Sequence, residues 1–370
     1  MDRIENALPD GERPLRIAQI AGVAFRVPPR GTGGTEIAVA HLTRGLVDRG
    51  HRVTLFASGD SRTDAELRSV TPVAAQDDPD SNLYRERELE LRNVDEAYGR
   101  SGDFDVIHAH WPTPAAYFSE HGRCPTLLTF DYMEKEIFED YRSRFPRLRF
   151  ACVSRAQADA LGAGLPVVPN GIDVDAVPFG RVPGRYLITV GRLVPTKGAA
   201  IAIEVARRAA LPLVVVGDVS PYLPESREYF EKEIAPRVDG RSVVHFPRLS
   251  NRRVLELLSG ARALLFPVRW DEPFGMVVAE SLAAGTPVVA TPRGSIPELV
   301  DEGTTGWLAE DLDGLVSAVA RVGAIDRRRC RAAARSRFDF RRAAEAYEEL
   351  YRKIAREWRE EPSARRSAWR

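Results

Sequence analysis

Short apolar runs separated by helical stretches recur along this chain of 370 residues and constrain its fold more than any other feature. The runs LRIAQIA and VTLFA, at 15–21 and 53–57, have the length and composition of buried parallel strands. Between them, a helical pattern places Ala38, Leu42 and Leu46 on one face. This order of strand, helix and strand is a βαβ unit, which predicts an α/β protein with parallel sheets.

The alternation occurs twice, with a break rich in proline and glycine, VPFGRVPG at 177–184, between the two series. The second series begins with YLITV at 186–190 and continues through LPLVVVG, VVHF, ALLFPV and PVVAT. We therefore predict two doubly wound parallel-sheet domains, at 1–178 and 179–342, with the active site in a cleft between them. The helical stripe at 338–358 is most simply explained as a packing surface.

Polar residues follow several predicted strands of the first half, at the point where each strand ends. They are His108, His110, Asp131, Ser154 and the pair Asn170 and Gly171. Open α/β sheets bind ligands at the carboxyl ends of their strands, so these residues are candidates for a site. A single histidine at a strand end is more often a hydrogen-bonded structural residue, and only the repeated placement favours a functional interpretation.

The first strand-to-helix turn contains GTGGTE at 31–36, where glycine allows the backbone to approach a ligand closely. The spacing differs from GxGxxG, so a flexible loop is an equally good interpretation. Two cations, Arg192 and Lys197, flank the corresponding turn of the second half. The positive end of a helix dipole disfavours cations, and a bound diphosphate would resolve that conflict. The alternative is that both side chains extend into solvent.

The stretch RWDEPFGMVVAE at 269–280 follows a predicted strand and opens a predicted helix, and it contains the carboxylates Glu272 and Glu280. The first amides of a helix have no acceptor within the helix, so the amides of residues 274–277 suit a phosphate or sugar oxygen. The alternative is that the two glutamates are solvated charges at a helix entry.

Composition excludes several classes of function. Lys and Arg together number 53, as do Asp and Glu, so no overall charge attracts nucleic acid or an anionic membrane. Three scattered cysteines favour neither disulfides nor a cysteine-rich metal site, and they fit a reducing cytoplasm. The apolar runs are too short to span a membrane and the charged N-terminus does not resemble a signal peptide, although peripheral membrane contact stays open.

The motifs GTGGTE, DVIHAHW, PNGID, VGRLVPTKG and DEPFGMVVAESLAAGTPVVA, in this order, resemble those of the retaining nucleotide-sugar glycosyltransferases of family 4. The resemblance extends from about residue 15 to 358 and implies the GT-B fold, in which two Rossmann-like domains face each other across a cleft. It also implies that the last helix, at 343–370, returns to the N-terminal domain.

The resemblance implies a role for each matching residue. Arg192 and Lys197 would hold the donor diphosphate, together with Gly34 and the backbone of Phe274, Gly275, Met276 and Val277, while Glu280 would bind the ribose. Glu272 would lie beside the donor sugar and position it. Gly33, His110 and Asp131 would lie on the side of the donor sugar and acceptor.

The implied reaction moves a sugar, with retention, from a nucleoside diphosphate sugar, UDP rather than GDP, to a hydroxyl acceptor in glycan, lipid-linked or natural-product synthesis. No metal ion and no cofactor are expected, because Arg192, Lys197 and helix amides stabilise the leaving charge.

Two departures from the family pattern affect the donor. Asp131 stands where many relatives carry histidine, which favours an unusual donor, such as an aminated or deoxygenated sugar, or a shifted loop. Arg293 and Gly294 stand where relatives often have two glycines. The alternative functions are a nucleotide-sugar epimerase or a sugar phosphorylase on the same fold, and a non-catalytic nucleotide-sugar-binding protein.

Overall fold

The computed structural model describes residues 13–31, 33–110, 112–130, 133–162, 164–220 and 223–360. These residues form two six-stranded sheets, one in each half of the chain, and all strand pairs are parallel. The α/β class and the doubly wound arrangement predicted from the sequence are confirmed.

The first sheet has the order β3-β2-β1-β4-β5-β6. Its strands are β1 Arg16–Ile20, β2 Arg52–Phe56, β3 Glu66–Arg68, β4 Val106–Ala109, β5 Thr126–Thr129 and β6 Leu148–Ala151. The second sheet has the order β12-β11-β10-β7-β8-β9. Its strands are β7 Leu187–Val190, β8 Leu213–Val216, β9 Val243–Phe246, β10 Ala263–Phe266, β11 Val288–Ala290 and β12 Gly306–Leu308.

Helices connect the strands of both sheets. In the first half they are α1 Gly34–Asp48, α2 Leu83–Gly99, α3 Pro112–Ser119, α4 Lys135–Arg144 and α5 Arg155–Leu161. In the second half they are α6 Ala199–Arg208, α7 Pro224–Tyr229, α8 Asn251–Gly260, α9 Met276–Ala283, α10 Ile296–Leu299, α11 Leu312–Arg321 and α12 Arg327–Phe338. The chain then continues as α13, Phe340–Glu360.

Both sheets have the same topology. In each sheet the first and fourth strands of the series lie side by side, β1 beside β4 and β7 beside β10, and the strand order reverses there. In doubly wound sheets this reversal opens a crevice at the carboxyl ends of the two strands, where ligands bind. The loops after β1, β4, β7 and β10 are therefore the places to look for a site.

Two segments differ from the sequence-based expectation. The charged stretch at 61–104, expected as outer helices and loops, contains the edge strand β3, Glu66–Arg68. The apolar run PVVP at 166–169, expected as a strand, makes only an isolated bridge from Val167 to Cys152. The prolines at 166 and 169 have no backbone N–H, which prevents them from donating to a ladder on either side of Val167.

The two helices at the end of the described chain pack in different halves of the molecule. Helix α12 packs against α9 in the second half, whereas α13 packs against α1 in the first. A Cβ on Gly45 of α1 would lie 2.7 Å from the Cβ of Ala344, so glycine is needed for this close contact. The buried face of α13, including Tyr347 and Tyr351, completes the apolar core beneath β1.

The two segments that cross between the halves are hydrogen-bonded to each other. The amide of Ile172 donates to the carbonyl of Phe338 at 2.8 Å, and the amide of Phe340 donates back to Ile172 at 3.0 Å. Ile172 and Asp339 form a parallel bridge. The domain limits at 178 and 342 stay a prediction, but both crossings lie close to these positions.

A second link between the halves involves Glu298 of α10. Its carboxylate accepts hydrogen bonds from the amides of Arg155 at 3.0 Å and Ala156 at 2.7 Å, in the first turn of α5. A carboxylate at a helix N-terminus is stabilised by the unpaired amides and the helix dipole.

Over the described ranges, the helices are too short or too polar to cross a membrane.

Candidate active site

Lys197 lies at the point where the second sheet reverses its strand order. A turn of 3₁₀ helix, Pro195–Lys197, follows β7, and Gly198 then begins α6 with a φ of +74°. A Cβ on Gly198 would lie 2.0 Å from the carbonyl oxygen of Pro267, so the turn is pressed against the end of β10. Glycine at this position therefore brings Lys197 beside the loop that follows β10.

The side chains of Lys197, Trp270 and Glu272 meet in that loop. The ammonium of Lys197 lies 2.6 Å from Oε2 of Glu272, and the indole N–H of Trp270 donates to the same oxygen at 2.7 Å. The ammonium also lies 4.5 Å from the centroid of the Trp270 ring, which is a cation–π contact. Glu272 is only 8% exposed, so these two partners replace much of the water around its carboxylate.

The backbone of Glu272 is held by the next strand-to-helix turn. Ser295 donates from its amide to the carbonyl of Glu272 at 2.8 Å, and its hydroxyl donates to Phe274 at 2.8 Å. Gly294 has a φ of +56°, and a Cβ there would lie 2.4 Å from the backbone nitrogen and oxygen of Glu272. The position that departs from the family pattern, Arg293, is exposed beside this contact.

Helix α9 begins beside Glu272. Gly275 precedes it in the left-handed conformation, with a φ of +86°. In the part of the chain that the structure describes, the amides of Gly275, Met276 and Val277 have no hydrogen-bond acceptor. The side chain of Phe274, in contrast, is buried and packs edge-on against Phe338, so this residue anchors the turn. These free amides lie where the sequence predicts an anion site, and binding of an anion there stays a prediction.

Glu280 lies inside α9 and is 7% exposed. The side-chain amide of Asn251, at the start of α8, donates to its Oε1 at 3.3 Å. Burial raises the pKa of Glu280 to about 7, because the charged form loses hydration and gains only this one hydrogen bond. A buried carboxyl group with a raised pKa and few partners is typical of a functional site.

Arg192 differs from Lys197 in its surroundings. It lies in the same loop after β7, but its side chain is exposed and contacts no hydrogen-bonding or charged partner among the described residues. The structure therefore places both predicted cations at the carboxyl end of β7, one already paired with Glu272 and one available to a ligand.

The glycines of the first half approach α9 directly. Gly33 precedes α1 with a φ of +147°, and a Cβ on Gly34 would lie 3.5 Å from Cγ of Met276. The turn of the first sheet thus lies against the N-terminus of α9, and the two predicted phosphate-binding backbones face each other.

His110 belongs to a different group, at the end of β4. It is 9% exposed and its Nε2 lies 2.6 Å from Oε1 of Gln19. Burial lowers the pKa of His110 to about 3, so the ring is neutral. Asp131, the residue predicted beside the donor sugar, lies outside the described residues.

Two residues of this region, Trp270 and Asn251, received no role from the sequence. Trp270 lies within the motif, two residues before the carboxylate that it contacts. Asn251 lies 29 residues before Glu280 and meets it only through the packing of α8. The position of Trp270, directly before Asp271 and Glu272, could have indicated its role. No local sequence pattern indicates the contact of Asn251 with Glu280.

Comparison with known proteins supports the same family over most of the chain. The model of Glycosyl transferases group 1 matches residues 180–337, and that of Glycosyltransferase Family 4 matches residues 32–176. A glycogen synthase from Mycobacterium tuberculosis is 28% identical over 90% of this chain and 94% of its own. A phosphatidyl-myo-inositol mannosyltransferase from Mycolicibacterium smegmatis is 26% identical over 83% of this chain and 84% of its own.

Solved structures share the fold. AviGT4, a glycosyltransferase involved in avilamycin A biosynthesis, superimposes with a TM-score of 0.70 and 25% identity, over 93% of this chain and 99% of its own. The Anabaena protein HepE, in complex with UDP and glucose, gives a TM-score of 0.70 at 18% identity, over 91% of this chain and 99% of its own. The two matched models and the shared architecture show that this chain belongs to the family 4 glycosyltransferases with the GT-B fold.

Proposed function

We propose that this glycosyltransferase moves a sugar from a nucleoside diphosphate sugar to a hydroxyl acceptor with retention of configuration. The observation that carries the proposal is the meeting of Lys197 and Glu272, 2.6 Å apart, beside the free amides that begin α9. A cation and oriented amides suit a diphosphate, and the adjacent carboxylate suits the hydroxyls of the sugar attached to it.

Each group has a distinct part in the proposed reaction. Lys197, Arg192 and the amides of Gly275 to Val277 stabilise the diphosphate as the bond to the sugar breaks. Glu280 is buried within α9 and binds the ribose hydroxyls. Because its pKa is about 7, both its protonated and its charged form are present near neutral pH. Glu272 is already engaged by Lys197 and Trp270, so its role is to position the donor sugar rather than to attack it.

The transfer itself then takes place on one face of the sugar. The bond from the anomeric carbon to the diphosphate oxygen breaks, and a new bond forms to the acceptor oxygen on the same face. The acceptor proton passes to the departing diphosphate oxygen. This scheme requires no metal ion, because the protein supplies the compensating positive charge.

Binding measurements with the whole protein test the donor site. Isothermal titration with UDP, GDP and ADP should give the tightest binding with UDP, and Arg192→Ala should weaken it roughly tenfold to a hundredfold, as expected for loss of a charge-assisted contact. Arg252→Ala, an exposed arginine on α8, is the matched control. A protein that binds none of the three nucleotides would contradict the donor-site proposal.

Product analysis tests the reaction. The protein is incubated with UDP- and GDP-sugars and a panel of hydroxyl acceptors in the presence of EDTA, and products are identified by mass spectrometry. NMR of the anomeric proton should show the configuration of the donor. Inverted product would refute retention, and loss of activity in EDTA would refute metal independence.

A further inference from the structure

A buried polar network connects helix α13 to the ends of β1 and β4. The hydroxyl of Tyr351 lies 2.6 Å from Nδ1 of His108 and 3.0 Å from Nε2 of Gln19. Oε1 of Gln19 lies 2.6 Å from Nε2 of His110. Gln19, His108 and Tyr351 have essentially no exposed surface, so water does not compete for these hydrogen bonds.

The directions of these hydrogen bonds depend on one another. The Gln19 amide donates to the oxygen of Tyr351, which leaves the proton of Tyr351 for Nδ1 of His108. The carbonyl side of Gln19 is then an acceptor, so Nε2 of His110 carries the proton. The opposite amide orientation would reverse each donor and place the proton of His110 on Nδ1.

This arrangement leaves one nitrogen of His110 available. Among the described residues, nothing donates to or accepts from Nδ1 of His110. His110 directly follows β4, and its amide donates to Ile20 at the end of β1, so the ring lies at the strand reversal of the first sheet. The loop with Gly33 and Gly34, which approaches Met276 of the second half, starts from the same sheet edge.

We propose that Tyr351 and Gln19 are positioning residues that hold His110 in the tautomer protonated at Nε2, so that Nδ1 accepts a hydrogen bond from a sugar hydroxyl of the substrates. The substrate part of this inference rests on the proposed function. Because burial keeps His110 neutral, the ring serves as a hydrogen-bond acceptor and not as a cation. Helix α13, which follows the second half in the chain and packs in the first, thereby contributes to the first-half side of the site.

NMR of the protein labelled with ¹⁵N-histidine tests the tautomer without any substrate. The chain has six histidines, and the His110→Gln variant identifies the signals of His110. The wild-type spectrum should show His110 protonated at Nε2 and unprotonated at Nδ1. A proton on Nδ1 in the wild type would overturn the proposal.

Three variants test the positioning role. Tyr351→Phe keeps the buried ring but removes the hydroxyl that orients Gln19, so His110 should become a mixture of both tautomers. Gln19→Glu keeps an acceptor for Nε2 and should retain the wild-type tautomer, whereas Gln19→Leu should lose it. Tyr98→Phe, which removes another buried hydroxyl of the same half, is the control and should leave His110 unchanged. An unchanged His110 tautomer in Tyr351→Phe would also overturn the proposal.

Kinetic measurements identify which substrate carries the hydroxyl that donates to Nδ1 of His110. Tyr351→Phe should lower the transfer rate roughly tenfold, the size expected for one weakened hydrogen bond in the transition state. If the hydroxyl belongs to the donor sugar, hydrolysis of the donor without acceptor should fall equally. If it belongs to the acceptor, hydrolysis should be unchanged and the KM for the acceptor should rise. A protein that turns over no nucleotide sugar would contradict the proposed function, while the NMR result would still decide the tautomer.

Discussion

Lys197 and Glu272 form an ion pair 2.6 Å long whose side chains are only 15% and 10% exposed. They come from loops 75 residues apart, after β7 and β10, and the strand reversal of the second sheet brings them together. Trp270 shares the same carboxylate oxygen. The ion pair thus joins the loops after β7 and β10 at the place where the donor is proposed to bind.

Lys197 and Arg192 should therefore respond differently to substitution. Lys197→Met leaves a largely buried carboxylate without its cation and should lower the free energy of unfolding by about 2–4 kcal/mol. Arg192→Met removes an exposed side chain and should change it by less than about 0.5 kcal/mol. Both variants should bind UDP more weakly in isothermal titration. Equal stability of the two variants in thermal unfolding would show that the ion pair contributes little.

Glu280 should make stability depend on pH. Its pKa in the folded protein is about 7 against an ordinary value of 4.5, so the folded state holds a proton that the unfolded chain releases between these values. The free energy of unfolding should therefore fall as the pH rises from 4.5 to about 7, by about 3 kcal/mol at most. Glu280→Gln should raise the unfolding temperature at pH 8, have little effect at pH 4, and weaken UDP binding.

The exposed Glu310→Gln is the control for Glu280, and it should shift the unfolding temperature at neither pH. Equal unfolding temperatures of Glu280→Gln and the wild type at pH 8 would contradict the effect of burial.

The contact between α1 and α13 should not tolerate a side chain at Gly45. A Cβ there lies 2.7 Å from that of Ala344, so Gly45→Val should force the helices apart and cost about 1–3 kcal/mol. Gly99→Val is the matched control, because a Cβ on this helical glycine meets no atom within 4 Å. Urea unfolding compares the two variants, and an equal loss of stability would assign the effect to helix propensity alone.

The bond between Glu298 and α5 should favour a closed cleft. Glu298→Ala leaves the amides of Arg155 and Ala156 without their acceptor, so the two halves should separate more readily. Small-angle scattering should show a larger radius of gyration, while UDP affinity is retained. The control is Glu302→Gln. The carboxylate of Glu302 accepts a hydrogen bond from the amide of Leu308, which lies in the same half of the molecule. An unchanged radius of gyration would show that other contacts keep the two halves together.

The alternation of apolar runs was enough to predict both sheets, because buried parallel strands leave a continuous apolar signature. It also placed Lys197, Glu272 and the start of α9 at strand ends, where the loops converge. The edge strand β3 was missed because two of its three residues, Glu66 and Arg68, are charged and none of the three is buried.

Partners that meet through tertiary packing could not be predicted in this way. Asn251 reaches Glu280 because α8 packs against α9, and Tyr351 reaches Gln19 across 332 residues of chain. No pattern in a single sequence encodes such distant pairs. The same holds for Glu298, which lies in a short helix with no signal that it contacts the other half of the molecule.

The bridge between Ile172 and Asp339 constrains how the two halves of the molecule could move relative to each other. The outgoing and returning segments are bonded at this bridge and again where Arg331 donates to the carbonyl of Val177. A Cβ on the neighbouring Gly171 would lie 2.4 Å from the Cα of Phe340, so the two segments are closely packed. We therefore expect any movement of the two halves to be a rotation about these linked segments, because packing this close prevents one segment from sliding past the other. Such a rotation would change the distance between Gly34 and Met276 while the outgoing and returning segments stay bonded to each other.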